Sequence, residues 1–299
     1  MKIALMIALI CLILGALIMG IGWVILQKNP IDKNVFEDRV HSYSIDALPS
    51  QINIESINNR IEFRITEEDE WRVECRDQEK VYHTVELVDG VLTIKEIDER
   101  RWYEWIGIFT QLRPTTIIVY LPAGSYDTLD IRSTSSDIVV PEGFTFSDVT
   151  LHNTSGDISF ASAATGAMSV KNTSGDIRIT GGVNGNLNVT NGSGCIEIKD
   201  VTPLAAKIQN TSGIICLQNV VCQEACEIKN TSSRIELERC DAASFDIQNT
   251  SGDIRGSILS GKTFDCHATS GSVRVPDNAA GGTFKAKTTS GSIKITIVE

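Results

Sequence analysis

The sequence predicts an all-β protein. The expected fold is a parallel β-solenoid of 19–20-residue coils, preceded by an irregular β N-terminal region and one transmembrane helix. The motif Asn172-Thr173-Ser174-Gly175-Asp176 recurs in close copies every 19 or 20 residues from residue 133 almost to the C-terminus. Apolar residues alternate on both sides of each copy, and the start of the chain is almost uncharged. So steady a period is typical of one supersecondary unit stacked on itself.

Residues 1–26 form the predicted membrane anchor. Residues 3–26 carry no charge over 24 positions, and a helix of that length reaches about 36 Å, against about 30 Å of hydrocarbon. A cleavable signal peptide is the alternative, with Gly20-Ile21-Gly22 as its cleavage site. The apolar run is longer than that of an ordinary signal peptide, which favours an uncleaved signal-anchor. Basic residues after the span weigh slightly towards a cytoplasmic C-terminus, but the β architecture favours an extracytoplasmic one.

Three further segments follow the anchor. Residues 27–40 are polar and contain Pro30, as expected of a linker. Residues 41–128 alternate like short strands, with Asp89-Gly90 as a hairpin turn, and we expect them to form an irregular β region that caps the stack. Residues 129–299 are the predicted solenoid domain.

An aromatic segment interrupts the capping region and is the one candidate interaction patch outside the repeats. Exposed rings there would suit a partner or a lipid interface. The alternative is that the rings fold back as a lid over the end of the core. The patch consists of Trp102, Tyr103, Trp105 and Phe109.

The apolar columns of the repeat predict its strands. Aligned on the motif serine, apolar residues recur six and four positions before it and three and five positions after it. A spacing of two within each half predicts two short strands with one buried face. The column three positions after the serine contains Ile138, Ile158, Ile177, Ile196, Ile215, Ile235, Ile254, Val273 and Ile293.

The motif itself is predicted to be a structural corner between the two strands. Its asparagines fall on the inward side, where their amides can bond to one another up the stack and to the turn backbone. Its glycines allow the positive φ that a reversal of direction needs. The corner residues are Asn153, Asn172, Asn191, Asn210, Asn230 and Asn249, with Gly156, Gly175, Gly194, Gly213 and Gly252. The aspartates that follow the glycines are interpreted as a solvated face.

Composition and motifs argue against several function classes. A net charge of -11 is the wrong sign for binding nucleic acid. The chain has no phosphate-binding loop, dinucleotide fingerprint or nucleophile elbow. His41 and His83 have no cysteine or histidine at ligand spacing, and His152 and His267 fall in one column many coils apart. We therefore expect no catalytic residues, no metal, no cofactor and no enzyme activity.

The eight cysteines do not form a disulfide framework. Cys195 and Cys216 are expected about 8 Å apart by strand spacings, too far for a disulfide. Cys222 and Cys240 could pair across a connection.

An N-terminal anchor, an aromatic insert, the strand Ile117-Ile118-Val119-Tyr120-Leu121 and iterated Ser-Gly-Asp-Ile coils resemble the putative-adhesin family of membrane-anchored proteins of Gram-positive bacteria. The resemblance covers about residues 45–298. It implies a surface module of the cell envelope that binds or scaffolds without catalysis, with an unknown envelope protein or polysaccharide as partner. The alternatives are an accessory of envelope-stress signalling and, less favoured, a polysaccharide-active enzyme.

The C-terminus is expected to leave an open strand edge. Residues 293–299 end the chain on a strand with no capping coil after it. An unpaired parallel edge would permit self-association of two molecules.

Overall fold

The computed structural model describes residues 2–28, 39–67, 71–100, 115–279 and 281–298. Within these ranges the chain forms one helix, α1 (Lys2–Lys28), and a long series of strands. In chain order the strands are β1 (Arg39–Ile45), β2 (Gln51–Ser56), β3 (Asn59–Ile65), β4 (Trp71–Asp77), β5 (Val81–Val88), β6 (Val91–Asp98), β7 (Thr115–Leu121), β8 (Gly124–Ser133), β9 (Asp137–Val140), β10 (Phe144–His152), β11 (Ile158–Phe160), β12 (Ala163–Ala164), β13 (Met168–Ser174), β14 (Ile177–Ile179), β15 (Leu187–Ser193), β16 (Ile196–Val201), β17 (Ala206–Ser212), β18 (Ile215–Val220), β19 (Ala225–Ser232), β20 (Ile235–Cys240), β21 (Ser244–Ser251), β22 (Ile254–Ile258), β23 (Lys262–Ser270), β24 (Val273–Arg274), β25 (Gly282–Ser290) and β26 (Ile293–Ile297).

The strands form two 13-stranded sheets that enclose a single core. The order in the first sheet is β1-β4-β7-β3-β9-β11-β14-β16-β18-β20-β22-β26-β24, and in the second β23-β25-β21-β19-β17-β15-β13-β10-β8-β2-β6-β5, with β12 beside β10. Each coil gives one strand to each sheet, and the corner motif joins the two. The predicted all-β fold of mostly parallel, stacked coils is confirmed.

The predicted register of the columns is confirmed along the middle of the stack. Ile177 pairs with Ile196, Ile196 with Ile215, and Ile215 with Ile235, all in parallel strands. These side chains are fully buried. One isoleucine per coil therefore stacks on its equivalents, and each contributes about 1.5–3 kcal/mol of gross apolar burial.

The N-terminal end of the stack departs from chain order. The coil of β2 and β3 pairs with β8 and β9 on one side and with β6 and β7 on the other, always in parallel. Three antiparallel strands then close this end: β4 on β7, β1 on β4, and β5 on β6. Parallel coil geometry thus begins at Gln51, and only β1, β4 and β5 form the antiparallel cap.

The C-terminal end corrects the prediction of an open edge at residues 293–299. The last coil in sequence, β25 and β26, lies between β21–β22 and β23–β24 and pairs with both. The outermost coil is β23–β24, whose second strand has only two residues. Phe284 and Ile293 of the inserted coil are fully buried, whereas Val273 of the outer coil is exposed. This order buries the more apolar coil.

The structure does not confirm the transmembrane helix predicted from residues 1–26. The described side chains of α1 are those at positions 6, 10–24 and 27. Among the residues that are described, no helix is long and apolar enough to cross a membrane.

Candidate functional site

The corner motif forms a continuous edge along the stack. Its glycines have positive φ, for example +119° at Gly175 and +117° at Gly194. A Cβ on Gly194 would lie 2.2 Å from the carbonyl oxygen of Gly175 in the preceding coil. Glycine is therefore required at position 194 both by the positive φ and by the close approach of the preceding coil. Ser233 takes the equivalent place in one coil at a φ of 93°.

The corner asparagines are buried, and of the two expected kinds of bond they make the one to the turn backbone. Each side-chain nitrogen donates to a backbone carbonyl of the preceding coil, and the amides do not bond to one another. The distances include 2.8 Å from Asn191 Nδ2 to Gly175 O and 2.9 Å from Asn210 Nδ2 to Gly194 O. The Oδ1 atoms of Asn191 and Asn210 are buried without a partner among the described residues. The ladder therefore joins each side-chain amide to the backbone of the preceding coil.

Three motif aspartates have a structural role that the sequence analysis missed. The Oδ1 atoms of Asp137, Asp157 and Asp176 accept a backbone N–H from the next coil, at 3.0, 2.8 and 2.7 Å. The signal was available in the sequence, because three successive copies of the motif carry the acid at the same position.

A groove of about 570 Å³ runs beside the corner on the outer face of the second sheet. It extends from β15 to β23, which is five strand spacings or about 24 Å. Two outward columns line it, three positions and one position before the motif serine. The first column contributes Thr190, Gln209, Lys229, Gln248, Lys287 and His267. The second contributes Thr211, Thr231, Thr250, Thr289 and Thr269.

The charge of the groove is opposite to that of the whole chain. Lys229, Lys287 and His267 line it, and no carboxylate is found among its described lining residues. The chain as a whole carries a net charge of -11. Hydroxyl, amide and ammonium donors repeated at each coil suit a polar, extended ligand that bears acceptors or negative charge. The alternating apolar residues of the inward columns predict only the core, and the recurring threonine is the signal in the sequence that marks the second outward column.

Among the residues that the structure describes, the other candidates predicted from the sequence form no site beside the groove. Trp102, Tyr103, Trp105 and Phe109 lie outside the described residues. His152 on β10 and His267 on β23 are seven strands apart in the second sheet. His41 and His83 are an exception to the prediction, because Asp77 joins them within the antiparallel cap.

The thiols of Cys195, Cys216 and Cys266 are not activated nucleophiles. Cys195 lies just before β16, and Cys216 lies on the neighbouring strand β18, where its register partner is Glu197. Burial, with a hydrogen bond to Glu236, raises the pKa of Cys216 to about 12, and burial raises that of Cys266 to about 11. A reactive cysteine needs a lowered pKa. All eight cysteines are free thiols, so the pairing of Cys222 with Cys240 is not formed.

Coils stacked in parallel, a structural corner and a polar groove define a β-solenoid whose outer face is suited to contact. The chain belongs to the Toastrack DUF4097 family, whose model matches residues 50–232 and 185–299. No curated protein matches the chain. The family agrees with the resemblance to putative adhesins, whereas membrane anchoring and the assignment to Gram-positive bacteria stay predictions.

Comparison with solved structures gives matches at low sequence identity. A putative lipid binding protein from Parabacteroides distasonis has a TM-score of 0.54 and 15% identity, with 86% of this chain and 97% of that chain covered. A putative adhesin from Bacteroides fragilis has a TM-score of 0.49 and 11% identity, with coverage of 87% and 99%. At 15% identity the likeness to the Parabacteroides distasonis protein concerns the fold alone.

Proposed function

We propose that the protein is a non-catalytic binding module of the cell surface, and that its groove binds an extended anionic polysaccharide of the envelope. The observation that carries the proposal is the groove itself: donors repeat at every coil, and two lysines line it on an acidic protein. The coil spacing of about 4.8 Å is close to the length of one sugar residue in an extended glycan. Successive sugars can thus meet equivalent side chains.

The same groove offers little to a glycosidase. Glycoside hydrolysis requires a pair of carboxyl groups that face each other across the bond to be cleaved. The described lining contains threonine, asparagine, glutamine, lysine and histidine side chains instead. This chemistry supports retention of a polymer without cleavage.

We further propose that the N-terminal segment attaches the protein to the cell membrane with the solenoid outside. The uncharged run of residues 3–26 supports this. So does the exposure of apolar side chains on α1, where Leu12 is 72% and Trp23 is 68% accessible. A surface of this kind is covered in the cell, and a bilayer is the occupant that we propose.

The binding proposal is tested with the purified full chain and a panel of acidic and neutral envelope polysaccharides. We expect an acidic polymer to be retained, and the double substitution Lys229→Ala and Lys287→Ala to weaken binding at least about tenfold through loss of two charge-assisted contacts. The matched control is Lys207→Ala with Lys285→Ala, two exposed lysines on another outward column. Equal losses in both double variants, or no retained polysaccharide, would contradict the proposal.

A further inference from the structure

The two outward columns that line the groove continue past its end at β15. In the first column, Lys171 on β13 pairs with Thr190, and His152 on β10 pairs with Lys171. In the second column, Thr173 and Thr154 belong to the same two coils, and all four added side chains are exposed. The chemistry of the groove therefore extends over eight successive strands, from β10 to β23, which is seven strand spacings or about 34 Å.

The first column contains no carboxylate along these eight strands, all of which lie in the described part of the chain. Its neighbour on the same face, two positions earlier in each strand, carries Glu227, Asp246 and Asp265. Because the chain has 38 acidic and 27 basic residues, an outward column without an acid differs from the rest of the surface. We call the first column, from His152 on β10 to His267 on β23, the cationic stripe.

The lysines of the cationic stripe are not neutralised by the protein. Within the described residues, Lys171, Lys229 and Lys287 form no ion pair. Basic side chains on the outer face of the first sheet behave differently, since Arg178 bonds Glu197 of the neighbouring strand at 2.7 Å. Ammonium groups without a carboxylate beside them keep their full attraction for a ligand anion.

The cationic stripe has a defined end at β8. The same column position is occupied there by Arg132, whose guanidinium bonds Asp130 at 3.2 and 3.0 Å. The next strand, β2, places Glu55 beside Arg132. These two carboxylates repel a negatively charged ligand, so the stripe stops one coil before them.

We propose that the cationic stripe as a whole, beyond the groove, binds one linear polyanion that lies along the stack and spans about eight sugar units. The inference rests on the proposed function; it adds Lys171 and His152 to the binding surface and gives the ligand a length. At about 4.8 Å per coil, the groove covers six coils and the stripe covers eight. Acidic units at successive coils can thus meet ammonium, amide and hydroxyl donors over the full stripe.

The affinity of the purified full chain for linear oligouronates of four, six, eight and twelve sugars tests this length. We expect the affinity to rise up to about eight sugars and then to change little, because further units reach past the stripe. A plateau at six sugars would overturn the extension and leave binding in the groove intact. Failure of every oligouronate to bind would overturn the extension together with the proposed function.

Lys171→Ala locates the added contact. We expect it to weaken binding of the eight-sugar oligomer about threefold to tenfold and to leave the four-sugar oligomer unaffected, since the groove holds four sugars without Lys171. The matched control is Lys207→Ala, an exposed lysine of the neighbouring column on β17. Equal affinities of these two variants for the eight-sugar oligomer would overturn the extension.

The double substitution Lys229→Ala and Lys287→Ala separates the two proposals. It should weaken binding of both oligomers, because both use the groove. Weakening by this double variant with no effect of Lys171→Ala would leave the proposed function standing and overturn the extension alone.

Discussion

At the scale of single residues, the corner motif combines two requirements that a sequence shows only in part. Gly194 must adopt a φ of +117°, and its α-carbon must lie against the carbonyl of Gly175. The period of the repeat and the preference of glycine for positive φ predict the first requirement. The second depends on how closely one coil approaches the next, which only the structure shows.

Gly194→Ala should therefore lower the free energy of unfolding by at least about 2 kcal/mol, because strain at positive φ adds to a clash with the carbonyl of Gly175. Gly182→Ala is the matched control, since a Cβ there meets nothing within 4 Å. We expect that control to change stability by less than about 0.5 kcal/mol. Denaturant unfolding measures both, and equal effects would show that the corner is not under this constraint.

A buried ion pair predicts an acid-sensitive contribution to stability. Lys262 Nζ lies 2.8 Å from Asp241 Oδ1. Burial alone would raise the pKa of Asp241, but hydrogen bonds from Lys262 and Ser260 outweigh it and hold the pKa below its ordinary value. Since the pKa is lower in the folded state, this stabilisation is present above the unfolded pKa of about 3.9 and is lost as pH falls through the folded value.

Asp241→Asn tests this linkage. We expect the substitution to cost about 1–3 kcal/mol at pH 7, where Lys262 keeps a buried charge without its partner. The variant should then lose less stability than the native chain between pH 5 and about pH 2. Denaturant unfolding across that range is the measurement, and parallel pH profiles for the two chains would exclude a role for Asp241.

At the scale of elements, the main surprise is the order of the last two coils. Val273 of β24 and Ile293 of β26 belong to the same column of the repeat. The sequence pattern therefore fits a stack that ends with β23–β24 as well as one that ends with β25–β26. The deciding quantity is the apolar surface left uncovered at the end of the stack. Phe284, Ala286 and Ile295 are buried in the inserted coil, and the outer coil exposes Val273.

Phenylalanine truncation distinguishes the two orders. Phe284 lies between Phe245 and Phe264, with ring centroids 5.1 and 5.5 Å away. We expect Phe284→Ala to cost about 3–5 kcal/mol and Phe264→Ala, at the half-buried outer end, clearly less. Stacking in chain order would reverse this ranking, which denaturant unfolding of the two variants would reveal.

The contacts within the antiparallel cap of β1, β4 and β5 could not be predicted from local sequence patterns. His41 and Asp77 are 36 residues apart, and antiparallel pairing of β1 with β4 brings them together. No local spacing encodes this contact. The repeats were predictable because each column is copied coil after coil, whereas the cap is built once from unrelated segments.

At the scale of the whole molecule, a closed N-terminal end and a stack of coils present a polar groove on an acidic protein. The columns that build the core were predicted from alternation, because burial constrains them to apolar residues. The groove columns vary between threonine, glutamine, lysine and histidine, so their common role appears only when the coils are stacked. Two lysines in the groove also predict binding that weakens as salt screens the charges.

Labelling of a groove position on intact cells tests the central claim of a surface binding module most directly. Thr231→Cys places a thiol in the groove, and a membrane-impermeant maleimide reports its exposure. We predict equal labelling of this variant in intact and lysed cells, well above the native chain, whose thiols outside α1 are buried or half-buried. Labelling that requires lysis, or that never exceeds the native level, would contradict the account.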